Sequence, residues 1–330
     1  MASSERALQT AVDTLGRAGT RTGTTGPMGQ HTGLSLRDHE SYISLTMEFR
    51  CNLKCVHCMI EGTMDRLEAV PDAEFEKICA DQSRFGRWKG LVLTGSEITL
   101  RRDLPDIARK ARAAGFKHIR IQTHGMHLGR PDFADRLIDA GIDEFFVSVA
   151  GADAETHDEI TQVKGSWDKM MKGLDHLDHY DQVKILTNSV ITEKSYKLAP
   201  GMVRALDHLK HLTQMEFWVF FPMAHDDPKG LIPRLSDVRP YLIEAISACR
   251  QRGRYVEVKN FPECLLGNYR DALVNAQPTL FIDPKFWAEF DKNGFYQCPH
   301  QAECSSQECL GLTGAYIGKY GDERDKLSPL

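Results

Sequence analysis

No apolar run in this 330-residue chain approaches the roughly 20 residues that a membrane-spanning helix needs. The N-terminus also lacks the apolar core of a signal peptide. An excess of positive charge is missing too: 41 Lys+Arg against 46 Asp+Glu leave a net charge of −5, which offers nucleic acid no electrostatic footprint. The nine cysteines are odd in number and bunched in sequence, so they do not form the spread framework of a disulfide-stapled secreted domain. These absences lead us to expect a reducing cytoplasmic setting, with no membrane and no nucleic-acid partner. Residues 1–38 have little apolar periodicity and are rich in Gly, Thr, Ser and Arg. They read as a flexible leader, or as a lid ordered by substrate.

What is present is a globular composition, 42% hydrophobic and 26% charged, with length for one large domain and a small appendage. Its most specific stretch is Cys51-Asn52-Leu53-Lys54-Cys55-Val56-His57-Cys58. Three thiolates at this spacing can hold three irons of a [4Fe–4S] cluster and leave the fourth open. An open iron invites a substrate ligand. Zinc is the alternative, but a structural zinc site usually has paired CxxC knuckles and a fourth ligand at matching spacing. His57 could be that ligand only by straining a tetrahedral site, since it lies between Cys55 and Cys58.

From residue 41 onward, strand and helix patterns alternate. Strands are expected at 43–49, 90–94, 118–123, 144–150, 183–190 and 216–221, with helices at 72–85, 104–114, 133–140, 169–179 and 202–209. Asp72 is expected to cap the first helix, and Gly115 and Gly141 to close two others. Six such units argue for a parallel sheet with helices outside, curled by right-handed crossovers. A further helix at 237–252 and a short strand at 255–258 precede irregular sequence. The fold class is therefore α/β, a partial (β/α)6 TIM-like barrel over residues 39–235. A small cysteine-rich C-terminal extension follows over 236–330.

The cysteine spacing resembles the CxxxCxxC signature of the radical S-adenosylmethionine (SAM) superfamily, with planar His57 where many members carry an aromatic residue. The same partial barrel is what that resemblance implies. It also implies that the open iron chelates SAM and delivers an electron from a donor such as flavodoxin or ferredoxin, giving a 5′-deoxyadenosyl radical. Chemistry in parallel α/β folds gathers at the C-terminal strand ends. There, Gly95-Ser96-Glu97 resembles the family's GGEP turn, although Ser96 and Ile98 replace its second glycine and its proline. Gln122-Thr123-His124-Gly125 looks like the Thr-Asn-Gly turn of several branches, which makes His124 a candidate donor to SAM or substrate. By the same resemblance Ser148 contacts the SAM carboxylate or ribose, and Asn188 the ribose. Either residue could instead satisfy backbone groups at its turn. Beyond the sixth strand, His225 and Asp226 form a candidate acid–base pair.

Cys264, Cys298, Cys304 and Cys309 make a complete ligand set for a closed [4Fe–4S] cluster or for zinc. The region loosely resembles the SPASM and Twitch extensions of radical SAM enzymes, though it lacks the seven cysteines and the CxxC of a full SPASM set. Cys79 and Cys249 fit helix patterns as core residues. The expected function is hydrogen abstraction from a small metabolite or natural-product intermediate, with oxidation aided by the second cluster. The alternatives are a peptide- or protein-modifying maturase and, in another class, a non-enzymatic iron–sulfur carrier or scaffold.

Overall fold

Ile43, Leu45 and Met47 point to one side of the first strand and Ser44, Thr46 and Glu48 to the other, and all six are buried. Burial on both faces is what a central parallel strand requires. The computed structural model describes residues 39–60 and 66–330, so the leader at 1–38 lies outside the described residues. The strands are β1 (Tyr42–Glu48), β2 (Gly90–Gly95), β3 (His118–Thr123), β4 (Glu144–Ser148), β5 (Lys184–Ile191), β6 (Leu212–Val219), β7 (Tyr255–Lys259) and β8 (Thr279–Phe281). All pair in parallel, in the order β7-β6-β5-β4-β3-β2-β1-β8. The six expected units run in sequence order through the sheet, and β7 and β8 extend it at its two edges.

The sheet curls. Six strand spacings separate β7 from β1, about 29 Å if the sheet were flat. Yet His39, three residues ahead of β1, places Nε2 3.4 Å from Glu257 Oε1 on β7. The α-helices are α1 (Asp72–Phe85), α2 (Leu104–Ala113), α3 (Pro131–Asp139), α4 (Ala154–Thr161), α5 (Ser166–Leu177), α6 (Ala199–Ala205), α7 (Leu235–Gln251), α8 (Lys285–Phe290) and α9 (Gly314–Tyr320). They bury Ile78, Ile107, Leu137, Leu174, Val203 and Ile246 against the face of the sheet that carries Leu45, Leu93, Ile121, Val147 and Phe217.

Several local expectations change. Asp72 is the first helical residue after Pro71 and does not cap α1; its carboxylate instead meets Arg101 at 2.9 Å. Gly115 and Gly141 follow their helices with φ of 98° and 100°, a backbone region open to glycine. The β6 strand begins at Leu212, four residues before the expected start. The helix α4 was not foreseen, although Asp153 and Thr156 exchange both bonds of a capping box at its start. The final residues are not merely a polar tail: α9 buries Tyr316, whose hydroxyl accepts the Leu235 N–H at 3.1 Å.

Candidate active site

Cys51, Cys55 and Cys58 lie half-buried on the loop leaving β1. The C-terminal end of α4 holds this loop through Lys54 N–H to Thr161 O at 3.1 Å and Val56 N–H to Ile160 O at 2.9 Å. Lys229 Nζ adds a bond to Val56 O at 3.2 Å. Burial, then Cys58 and Cys51 beside it, pushes the Cys55 thiol up to about 12. Burial also raises the Cys51 thiol, with Glu97 and Cys58 adding to the effect. Thiols at Cys51 and Cys55 whose ionisation burial and their neighbours disfavour suit a cationic centre, whose charge reverses that preference. Burial, with His157 and Lys229, lowers His57 to about 4, and its Nδ1 is closed off without a hydrogen-bond partner. Among the described residues no three His, Cys, Asp or Glu side chains converge as the ligand set of one ion. A cubane instead takes one thiolate at each of three separate irons, so its ligands need not converge on one point.

Beside the loop, Gly95 has φ 153°, and a Cβ there would lie 1.8 Å from Glu48 O. Only glycine lets the turn run this close to β1. The next residue donates Ser96 N–H to Glu48 O at 2.7 Å, while Ser96 Oγ is buried with no partner. The Glu97 carboxylate is 0% exposed and fully engaged. Its Oε1 accepts from Thr99 N–H at 3.0 Å and Thr123 Oγ1 at 2.7 Å, and its Oε2 from His124 N–H at 2.8 Å. Glu97 is thus a scaffold of the turn, with no oxygen left free for a ligand. His124, whose basicity burial lowers, turns Nε2 to Asn52 Oδ1 at 2.7 Å.

Ser148, Asn188, Glu216 and Glu257 stand in one register row across β4, β5, β6 and β7. Ser148 is exposed and Asn188 half-buried, so both can meet a ligand in the curl of the sheet. His225 and Asp226 are exposed on the loop after β6, and no hydrogen bond joins them among the described residues. Their neighbour Asp227 instead ties that loop down, accepting from Leu231 N–H, Ile232 N–H and Lys319 Nζ at 2.8–2.9 Å.

Sequence reasoning missed Asn52 and the buried polar row. Glu216 accepts from Gln214 Nε2 at 2.8 Å and Trp218 Nε1 at 2.7 Å, and Lys259 Nζ meets Glu257 at 3.0 Å. Burial, with Glu257 nearby, raises the Glu216 carboxyl. The alternation Gln214-x-Glu216-x-Trp218 against Tyr255-x-Glu257-x-Lys259 was a legible signal of an inward polar face.

Cys264, Cys298, Cys304 and Cys309 line one cavity, together with His300 and Ser306. Burial raises the Cys264 thiol, with Cys298 and Cys304 adding to it, and raises Cys309, with Cys264 and Cys298 adding. The structure therefore brings all four together from segments up to 45 residues apart, 264 to 309. Cys79 and Cys249 are buried in α1 and α7, within the main core.

Residues 47–194 match the family model described as the Radical SAM superfamily. These residues are a radical SAM domain. It contains the cysteine loop, the 95–97 turn, Ser148 and Asn188, and the family implies SAM and a [4Fe–4S] cluster. The chain is 31% identical over 170 residues to the probable GTP 3′,8-cyclase of Methanopyrus kandleri, covering 52% of this chain and 53% of that protein. It is 29% identical over 175 residues to the Fe-coproporphyrin III synthase of Methanosarcina barkeri, covering 53% and 43%. The chain thus spans about half the length of the curated relatives it matches. Streptococcus suis SuiB bound to S-adenosylmethionine shares the fold of the radical SAM domain, with TM-score 0.53 and 18% identity over 68% of this chain and 52% of that one. Among the described residues no helix is long and apolar enough to cross a membrane.

Proposed function

We propose that this chain is a radical SAM enzyme in which Cys51, Cys55 and Cys58 hold a [4Fe–4S] cluster and the 95–97 turn receives the amino end of SAM. The unpartnered, buried Ser96 Oγ beside that loop carries the reading. A hydroxyl closed off from water without a partner is costly unless a ligand completes it. Gly95 keeps main-chain groups approachable there, and exposed Ser148 and half-buried Asn188 remain available for the carboxylate and ribose. Bound at this loop, the cluster and SAM supply an electron and a 5′-deoxyadenosyl radical for hydrogen abstraction from an organic substrate. The protein's own part is to hold the turn rigid through Glu97 and to exclude water around the thiols. A one-electron donor of the flavodoxin or ferredoxin class would reduce the centre, and a reducing compartment suits nine cysteines none of which is in a disulfide.

The substrate in this reading is a small metabolite or natural-product intermediate, since the names of the relatives concern small molecules, GTP and an iron porphyrin. Cys264, Cys298, Cys304 and Cys309 would hold a second [4Fe–4S] cluster, which would supply a one-electron acceptor for the substrate radical as it becomes a closed-shell oxidised product. Four thiols around one cavity, with Cys264 and Cys309 raised by burial and by their neighbours, support this assignment. Iron and sulfide analysis after anaerobic reconstitution tests both centres. About eight of each per chain are expected for the natural chain, and about four for the variant with Cys51, Cys55 and Cys58 all changed to Ala. No iron in that variant, or zinc in place of iron and sulfide, would remove the second cluster from the account.

A further inference from the structure

The side chain of His124 makes contacts that fix its chemistry. Its Nδ1 accepts the Met126 N–H at 3.2 Å, so the proton of the neutral ring sits on Nε2. From Nε2 two acceptors are in reach, Asn52 Oδ1 at 2.7 Å and Glu97 Oε2 at 3.1 Å. Glu97 belongs to the turn after β2, His124 to the end of β3, and Asn52 to the cysteine loop directly after Cys51. One imidazole N–H therefore joins three segments that share no secondary structure. The far side of the loop is pinned separately, by Thr161 and Ile160 of α4. Among the described residues, the other hydrogen bonds of residues 51–53 stay within the loop, as Leu53 N–H to Cys51 Sγ at 3.4 Å does, and Leu53 buries its side chain.

We propose that His124 is a positioning residue, a latch that fixes Asn52, and with it Cys51, relative to the turn that receives SAM. It acts on the cluster loop through Asn52 and does not itself touch SAM. This rests on reading residues 51–58 as the cluster loop, but its first consequence precedes any metal. The latch preorganises the loop in the metal-free chain, so that a cluster inserts at a set distance from Ser96 and Gly95. Outer-shell partners of metal ligands act in this way on affinity and orientation.

Hydrogen exchange read by mass spectrometry on the metal-free full chain is the test. In His124→Ala and in Asn52→Ala, the amides of residues 50–58 should exchange about tenfold faster, with β3 and α4 unchanged. The double variant should add nothing further, because both changes break one bond. His124→Gln keeps an N–H donor and should stay within about threefold of the natural chain. After reconstitution, the two Ala variants should keep their iron. They should bind SAM about tenfold more weakly, read from the change SAM makes in the EPR spectrum of the reduced cluster. The latch is refuted by unchanged loop exchange in both variants, by an effect of His124→Ala that Asn52→Ala does not share, or by faster exchange throughout β3. The last is the signature of an ordinary core histidine. Faster loop exchange in a chain that binds no iron would uphold the latch and refute the cluster reading instead.

Discussion

At the scale of single residues, Gly95 is the position the account can least spare. Its missing side chain is filled by the Glu48 carbonyl, 1.8 Å from where a Cβ would sit, and backbone cannot swing aside as a flexible side chain can. Gly95→Ala is expected to destabilise the fold by about 3 kcal/mol in urea titrations and to remove SAM binding in whatever protein remains folded. A change below about 0.5 kcal/mol would mean the turn relaxes freely. Gly95 and the three thiols could be read from sequence because their chemistry is carried by residue type at short spacing. The Asn52–His124 bond could not, because it joins residues 72 apart and depends on where two strands meet. The expected acid–base pair at His225 and Asp226 shows the opposite difficulty. Adjacent polar residues look cooperative in sequence, yet on the loop after β6 both face solvent and only Asp227 is tied down.

At the scale of elements, the junction between α4 and α5 supports the cysteine loop and depends on Asp158. Its carboxylate accepts from Trp167 N–H at 3.0 Å and Ser166 Oγ at 2.7 Å, and also from Gly165 N–H. Burial alone would raise this carboxyl, but these donors outweigh burial and hold it below the ordinary aspartate range. A lowered folded-state value stabilises the fold fully above the unfolded aspartate value of about 4, and the contribution fades as pH falls through the folded value. Asp158→Ala should therefore cost about 1–3 kcal/mol in urea unfolding at pH 7, and the gap to the natural chain should narrow below about pH 3.5. A gap independent of pH would assign the loss to packing alone. Helix α4 escaped the sequence reading because eight residues hold barely two turns of periodicity. Strand β8 escaped because its three residues, Thr279–Phe281, cannot show alternation. Helix 72–85 and strand 118–123 were legible to the residue, the first for its length and the second because Ile119 and Ile121 alternate with polar residues after the turn at Gly115.

For the whole molecule, the six-unit parallel core was legible because strand and helix patterns alternate through it, with a glycine closing the helix in two of the units. The β7 strand was legible too, as the short strand expected at 255–258, but β8 was not, and both owe their places at the sheet edges to pairing with β6 and β1. The consequence is functional. The curl brings the residue row from Ser148 to Glu257 to face the loops at the strand ends, while the second cysteine group gathers from residues that no short motif links. The cluster site proposed beside a glycine turn with an unpartnered hydroxyl is what favours catalysis over electron carriage. The most direct measurement is 5′-deoxyadenosine formed when the reconstituted, dithionite-reduced chain is given SAM under anaerobic conditions. The account predicts 5′-deoxyadenosine from the natural chain and none from Cys55→Ala. A reduced, iron-loaded natural chain that binds SAM and never cleaves it would contradict it.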